Sequence, residues 1–414
     1  MSLMEIFNSI LIWIIANFKW GVLFMCSYLS LIALGNLLPR PKVRPSPPST
    51  RFAIVIPAHN EERVIGDLVR NLKAMDYPKE LFDIYVVCDR CTDRTEEIVR
   101  EEGAVALIRE HADKRGKGAA LDWGLEQIFA LRGRKYYDAF CFFDADNQVR
   151  TNFLSVMNNH LLAGHNLMQS FLDLKNPRSN WITRTIYVEQ RSTNFLWHGG
   201  KTRWGLGNYL IGTGMCVKGE LVAKHGWKVK SLTEDLEFSL RMALAGERIY
   251  WVEETRVFDE APTDLRTIWF QRQRWSIGGW RCFFRYFFPC LFYGLKNLNF
   301  RLWDMAIYLI SPAWLLCALI YGLLNFANGF FHLVSLPSNL FMTIFGVIYA
   351  FTYVPSGVFF SGIRLLENFP YVLIYMLLIP VLGILESFVG LLRVGKRSWF
   401  HTPHKAKLDE KIKL

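Results

Sequence analysis

Four short apolar runs, FAIVIP (52–57), DIYVVC (83–88), AVALI (104–108) and AFCFF (139–143), alternate with stretches of helical spacing at 61–74, 92–102 and 117–131. Their length, and their content of β-branched and aromatic residues, read as buried strands. Strands alternating with helices imply an α/β domain, a parallel sheet with helices on both faces. Ligands in such domains bind beyond the carboxyl ends of the strands. The residues there are polar: AHNEE (58–62), Asp89 within CDRCTDRT, and DADN (144–147).

An acid after a strand commonly caps the next helix, but three such loops at one sheet edge point to a ligand. Asp144 and Asp146, one residue apart, direct two carboxylates toward one cation. Hard oxygen ligands favour Mg2+ or Mn2+, which bridge to phosphate oxygens. KRGKGAAL (114–121) sets Lys114, Arg115 and Lys117 in a glycine frame at a helix start, where cations and free amides suit a diphosphate. It lacks the spacing of a nucleotide-hydrolysing P-loop. SLTEDLEFSLRM (231–242) puts Glu234 and Asp235 at the head of a helix. Cys88 and Cys91 have no second ligand pair, so they read as small neighbours of Asp89 rather than as half of a metal site.

A membrane is the second constraint. The stretch Gly21 to Leu38 carries no charge and is about long enough to span a bilayer. The preceding FNSILIWIIANF either extends it or lies in the interface, and it lacks the basic start of a cleaved signal. Further spans are expected at Met305–Phe326, Leu340–Phe360 and Tyr371–Leu392. Arg40, Lys42, Arg44, Arg51, Lys296 and Arg301 place residues 40–300 in the cytosol and the 328–338 loop outside. Pro370 and Pro380 allow the last segment to bend or re-enter, keeping Lys396, Arg397, Lys405 and Lys407 in the cytosol. With a net charge of +11, an anionic lipid or a phosphorylated substrate is the expected partner. No stretch resembles a nucleic-acid module, so no nucleic acid is expected.

FQRQRWSIGGW (270–280) stands just before the later spans, with two arginines, Arg272 and Arg274, among Phe270, Trp275 and Trp280. A soluble core would not bury so many guanidinium groups, and a plain anchor would not need them.

In order, Asp89, the D-x-D of Asp144 and Asp146, the T-E-D of Thr233 to Asp235, and the Q-x-x-R-W of Gln271, Arg274 and Trp275 resemble the membrane-integrated family 2 glycosyltransferases. That group includes cellulose, chitin, hyaluronan and poly-N-acetylglucosamine synthases. The resemblance covers residues 50–290 in motif order. It implies a cytosolic GT-A, Rossmann-like domain over 52–262 after an N-terminal span (1–40) and a proline-rich linker (41–51). Amphipathic interfacial helices (263–300), C-terminal spans (301–395) and a basic tail (396–414) would follow.

By the same resemblance, Ala58, His59, Glu61 and Asp89 would hold the uridine of a UDP-sugar. Asp144 and Asp146 would bind the diphosphate with Mg2+ or Mn2+, helped by Lys117 and Arg274. Asp235, with Glu234 beside it, would be the catalytic base, and Gln271 and Trp275 would contact the acceptor. The implied activity is inverting transfer from UDP-glucose or UDP-N-acetylglucosamine to a growing β-linked polysaccharide extruded across the cell membrane. The alternative is a single transfer to a lipid. Four hydrophobic segments are few for a complete channel, so a homo-oligomer or an accessory membrane subunit would supply the rest. Gly278 and Gly279 are expected to break the helix before Arg281 and Arg285, which would face lipid headgroups. GTGMCV (212–217) resembles an acceptor-side loop, and WFHTPH (399–404) a tail pattern without a chemical role.

Overall fold

The computed structural model describes residues 3–110, 116–314 and 355–395, with isolated positions 316, 317, 319, 320, 323, 326, 349 and 353 between them. Lys114, Arg115, parts of the expected spans Met305–Phe326 and Leu340–Phe360, the 328–338 loop, and the tail with WFHTPH lie outside the described residues.

Among the described residues, eight strands form one sheet: β1 (Phe52–Ala58), β2 (Phe82–Asp89), β3 (Val105–Arg109), β4 (Ala139–Phe142), β5 (Gln148–Val149), β6 (Leu167–Leu174), β7 (Met215–Lys218) and β8 (Ile249–Asp259), in the order β3-β2-β1-β4-β7-β6-β8-β5. The four strands read from the sequence are all present and mutually parallel. The other half departs from the expected parallel sheet. The chain enters β7 at the carboxyl edge of β4, with Met215 opposite Phe142, and so runs against β4; β5 also runs against β8. Strand β7 also runs against β6, while β6 and β8 pair in parallel, so the sheet is mixed.

Helices α2 (Ile65–Lys73), α3 (Thr95–Glu101) and α5 (Phe153–Leu162) cover one face of the sheet, and α4 (Lys117–Arg132), α8 (Gly219–His225) and α9 (Glu234–Leu244) the other. Ile54, Ile56 and Val86 point into the first layer, Val55, Tyr85 and Val87 into the second, the alternation that strand geometry imposes. Trp227 is fully buried in the second layer between Phe142 and Phe238, with ring centroids 4.9 and 4.5 Å away.

Around this body run α1 (Leu3–Leu34), α6 (Trp181–Thr193), a π-helical turn (Asn194–Gly199), α7 (Gly200–Arg203), α10 (Leu265–Lys296), α11 (Phe300–Leu309) and α12 (Leu365–Leu392). FNSILIWIIANF belongs to the first helix, which is continuous. Among the described residues, Trp20–Leu37 and Leu365–Leu392 are long and apolar enough to cross a membrane. The latter starts before the expected Tyr371 and continues through Pro370 and Pro380.

One expectation for the segment after Trp275 is corrected. Gly278 and Gly279 do not break the helix; α10 passes through both, because Gly278 serves to admit Thr233. Arg281 and Arg285 have protein partners: Arg281 Nε donates to the Val394 carbonyl at 2.8 Å, and Arg285 pairs with Glu237 at 3.1 Å.

Candidate active site

The carboxyl edge of β1, β2 and β4 gathers the polar loops, as strand direction requires. Ala58 ends β1 and is buried. His59 Nδ1 lies 2.6 Å from the Asp89 carbonyl oxygen, joining the first two loops. Asn60 turns the chain with a φ of 59°, and its Oδ1 accepts from Thr92 N–H at 2.8 Å. The Glu61 N–H donates to Thr95 Oγ1 at 2.8 Å, tying this loop to the start of α3.

Asp89 is buried and doubly paired. Arg109, its register partner on β3, reaches Oδ1 at 2.8 Å, and Arg90 reaches Oδ2 at 2.8 Å. Sequence reasoning missed both arginines. The signal was available for Arg109, which follows the third apolar run at the same carboxyl edge.

A second group lies at the centre of the sheet. Lys117 opens α4 after Gly116, whose φ of 107° suits glycine. Its Nζ lies 2.5 Å from Asp144 Oδ1, 2.8 Å from the Gly212 carbonyl oxygen and 3.8 Å from Glu234 Oε1. Burial draws the Lys117 ammonium down, but Asp144 and Glu234 outweigh it and the group sits above its ordinary value. Asp235 follows Glu234 at the head of α9, and its Oδ1 accepts from the Leu236 N–H at 2.8 Å. Burial first, then the Glu234 charge, push the Asp235 carboxyl up to about 7, against the opposing pull of Lys117 and Arg274. Gly212 faces it so closely that a Cβ there would lie 3.2 Å from Asp235 Oδ2.

The loop before α9 is held from two sides. Glu237, buried on α9, accepts from Lys230 N–H at 2.6 Å and Ser231 N–H at 2.5 Å, while Arg285 and Tyr286 of α10 reach its other oxygen at 3.1 Å. From α10, Arg274 reaches the Leu232 carbonyl oxygen at 3.4 Å. Trp275 is 47% exposed, and Gln271, one turn earlier, is half-buried on the same helical face. Arg272 has a separate duty: it pairs with Glu189 of α6 and lies 4.0 Å from Glu386 of α12. The structure thus brings Lys117, Asp144, Glu234, Asp235 and Arg274 together, and sets Ala58, His59, Glu61 and Asp89 as a neighbouring group along the same edge.

Asp146 points into a buried acidic nook. Its Oδ2 is 3.3 Å from the Glu260 N–H, its carbonyl accepts from Lys175 Nζ at 2.7 Å, and Lys175 pairs with Glu260 at 3.0 Å. Asp259, at the end of β8, lies beside it. Burial and the charges of Asp146 and Asp144 push the Asp259 carboxyl well above the usual range. Asn147 Nδ2 bonds Asp259 at 3.2 Å, and Asp144 N–H donates to Thr213 Oγ1 at 3.1 Å. Crowded carboxylates of this kind fit a hard divalent cation. Among the described residues no three or more His, Cys, Asp or Glu form a ready cage; Mg2+ and Mn2+ complete their shells with waters and phosphate oxygens. Asp259 and Lys175 were not identified from the sequence, because neither β8, which Asp259 ends, nor β6, which Lys175 follows, was read as a strand.

Residues 47–278, more than half of the chain, match a family model described as "Glycosyltransferase like family 2". A beta-monoglucosyldiacylglycerol synthase of Nostoc sp. is 27% identical over 310 residues, 71% of this chain and 63% of that protein. A poly-beta-1,6-N-acetyl-D-glucosamine synthase of Staphylococcus aureus is 26% identical over 285 residues, 65% of this chain and 64% of that protein. The chain spans less than two thirds of the length of these two relatives. A mannosyltransferase from Pyrobaculum calidifontis, solved with GDP-Man and Mn2+, shares the fold at a TM-score of 0.61 and 16% identity, covering 93% of this chain and 98% of that one. The curled α/β body with its acids at the carboxyl strand edge is a GT-A fold, and the chain belongs to the family 2 glycosyltransferases.

Proposed function

We propose that the protein is an inverting, membrane-bound glycosyltransferase that moves a sugar from a UDP-sugar to the hydroxyl of a membrane lipid. The observation that carries the transfer chemistry is the convergence of Lys117, Asp144, Glu234 and Asp235 at the carboxyl edge of the sheet. Asp235, held near neutrality, takes the proton of the acceptor hydroxyl as that oxygen forms a bond to the anomeric carbon. The bond from that carbon to the diphosphate oxygen breaks, its electron pair leaves with UDP, and one displacement inverts the centre. Lys117 and Arg274 balance the charge gathering on the departing group. Asp144 and Asp146 would hold a divalent cation, which would supply further neutralisation of the diphosphate. Ala58, His59, Glu61 and Asp89 line the place for the uridine, where Arg90 would swing from Asp89 to admit the base.

The acceptor side is supported by a cavity of about 230 Å³ bordered by Thr193, Trp197, Tyr209, Tyr308, Tyr353 and Tyr375. It combines ring faces with hydroxyls, and it lies between the GT-A body and the helices expected in the membrane. Tyr209 is three residues from Gly212, which touches Asp235. The cavity has room for one headgroup-sized unit, and a relative matched over 63% of its own length is named a beta-monoglucosyldiacylglycerol synthase. A growing polysaccharide, the first expectation from the sequence, is the second reading. It is supported by Q-x-x-R-W and by the poly-N-acetylglucosamine synthase relative. Two apolar helices, and the basic residues at 40–51, support a multi-pass placement with the GT-A domain in the cytosol.

The test uses the full chain in nanodiscs with Mg2+ or Mn2+, labelled UDP-sugars and diacylglycerol, with Asp235→Asn as control. Label extracted into organic solvent as a lipid-sized product is the expected result. High-molecular-weight product would establish the polymer reading, and no Asp235-dependent product from any donor would sink both.

A further inference from the structure

Beneath the turn that leads into α12, two arginines meet one carboxylate and a third stands close to them. Asp173, near the end of β6, is buried. Its Oδ2 accepts from Arg256 Nη1 of β8 at 2.9 Å and from Arg191 Nη1 of α6 at 3.1 Å, and its Oδ1 takes the Leu174 N–H at 3.0 Å. Arg150 adds a third positive charge. Burial first, then the Arg191 and Arg150 charges, lower the Arg256 guanidinium, with Asp173 opposing.

The hydrogen bonding is incomplete in the same direction. The Nε groups of Arg150, Arg191 and Arg256 are all buried, and none has a partner among the described residues. Buried donors almost always find acceptors, so three orphan donors in one cluster mark a place for an anion. The side chains are not sealed off: Arg191 is 15% exposed and Arg256 24%.

The position indicates where the anion comes from. Arg191 Nη2 donates to the Ser361 carbonyl oxygen at 2.9 Å. Ser361 lies in the turn before α12, a helix long and apolar enough to cross a membrane. Phe359 and Leu366, on either side of that turn, are 80% and 91% exposed. Apolar side chains so open belong in lipid, which sets the guanidinium cluster at headgroup depth. Basic pockets at the cytosolic end of membrane helices suit anionic headgroups, and the guanidinium fork matches phosphate oxygens.

We propose that Arg150, Arg191 and Arg256 form a pocket for the phosphate of an anionic membrane lipid, apart from the donor and acceptor sites. Occupancy would fasten the Ser361 turn to α6 and to the sheet. The inference rests on the membrane placement, not on the transfer chemistry, so it stands or falls apart from the choice of acceptor.

The test compares the full chain in nanodiscs of phosphatidylcholine alone and of phosphatidylcholine with phosphatidylglycerol. It reads the thermal midpoint, and the phospholipid retained in native mass spectrometry. Expected are retention of phosphatidylglycerol and a higher midpoint with it, both lost in Arg256→Gln and Arg191→Gln and both kept in Arg364→Gln, a control in the same turn. Arg256→Lys, which keeps charge but not the fork, should retain the lipid weakly and serves if the glutamine variants do not fold. Asp173→Asn removes the competing carboxylate and should hold the lipid more tightly. A purely structural network predicts the reverse, a lower midpoint in both lipids with no gain in retention, and that result would overturn the proposal. Equal behaviour of wild type in the two bilayers would also overturn it. A full midpoint shift from inorganic phosphate or UDP in detergent, lost in Arg256→Gln, would assign the pocket to a soluble phosphate and remove the lipid.

Discussion

A Cβ built on Gly278 would lie 2.5 Å from both Oγ1 and Cγ2 of Thr233. Helix α10 therefore touches the loop that presents Glu234 and Asp235 through a residue with no room for a side chain. Gly278→Ala must move α10, which carries Arg274, or turn Thr233 aside. Displacements of about 1 Å can cost on the order of 100-fold in rate, so kcat should fall by about 10- to 100-fold while the protein remains folded. Gly279→Ala is the control, because the nearest atom to its Cβ would be Pro312 at 3.9 Å. Rates at saturating donor that match wild type in Gly278→Ala would show that this contact does not govern the site.

The state of Asp235 should set the acidic limb of activity. A base must be unprotonated to act, and this carboxyl is pushed up to about 7 by burial and by Glu234. Turnover should rise tenfold per pH unit below that point and level off above it. Asp235→Asn should lower kcat by about 10²- to 10⁴-fold. Its effect on stability should have the opposite sign. At pH 8 the wild type holds a carboxylate that the fold disfavours, so the asparagine variant should melt higher. At pH 5 Asp235 is protonated in the fold and the difference should shrink. A melting difference that grows toward low pH would contradict this account.

How far the sequence could be read depended on whether each signal was local. The strand runs at 52–57, 83–88, 104–108 and 139–143 are local patterns, and all four strands form. The acids following them were visible because strand direction puts their successors at one edge. Arg109 and Asp259 act by coming across the sheet to Asp89 and Asp146, and pairing across a sheet leaves no mark at fixed spacing. The glycine pair at 278–279 misled because glycine weakens an isolated helix, whereas Thr233 packs against Gly278 here. Arg272 and Arg274 look alike in the sequence; only the packing of α6 and α12 separates one as a structural ion pair from the other as a neighbour of the site.

Lys117 and a divalent cation should compete for Asp144, since Lys117 Nζ already lies 2.5 Å from its Oδ1. Chelation with EDTA should abolish turnover, and Mg2+ or Mn2+ should restore it. Lys117→Ala should tighten Mn2+ binding measured by calorimetry, while the donor KM rises about tenfold as a phosphate contact is lost. Asp146→Asn should weaken Mn2+ binding. Parallel loss of both affinities in Lys117→Ala would mean that the lysine organises the pocket rather than competing within it.

The last prediction concerns the acceptor. Tyr209 stacks on Tyr308 with centroids 4.3 Å apart and borders the cavity near Asp235. Burial is the main cause that pushes its phenol up to about 12, so it stays neutral across the working pH range. Any contribution it makes to acceptor binding should therefore be independent of pH between 6 and 9, unlike turnover. Tyr209→Ala removes both ring face and hydroxyl and should raise the acceptor KM about tenfold or more, with the donor KM little changed. Tyr209→Phe keeps the ring and should show a smaller rise, on the scale of one hydrogen bond, about 0.5–1.5 kcal/mol. Kinetics with diacylglycerol at saturating UDP-sugar would measure both. If the acceptor KM stays at the wild-type value in Tyr209→Ala, the cavity does not receive the acceptor, and the surface near the exposed Trp275 becomes the place where the hydroxyl must approach Asp235.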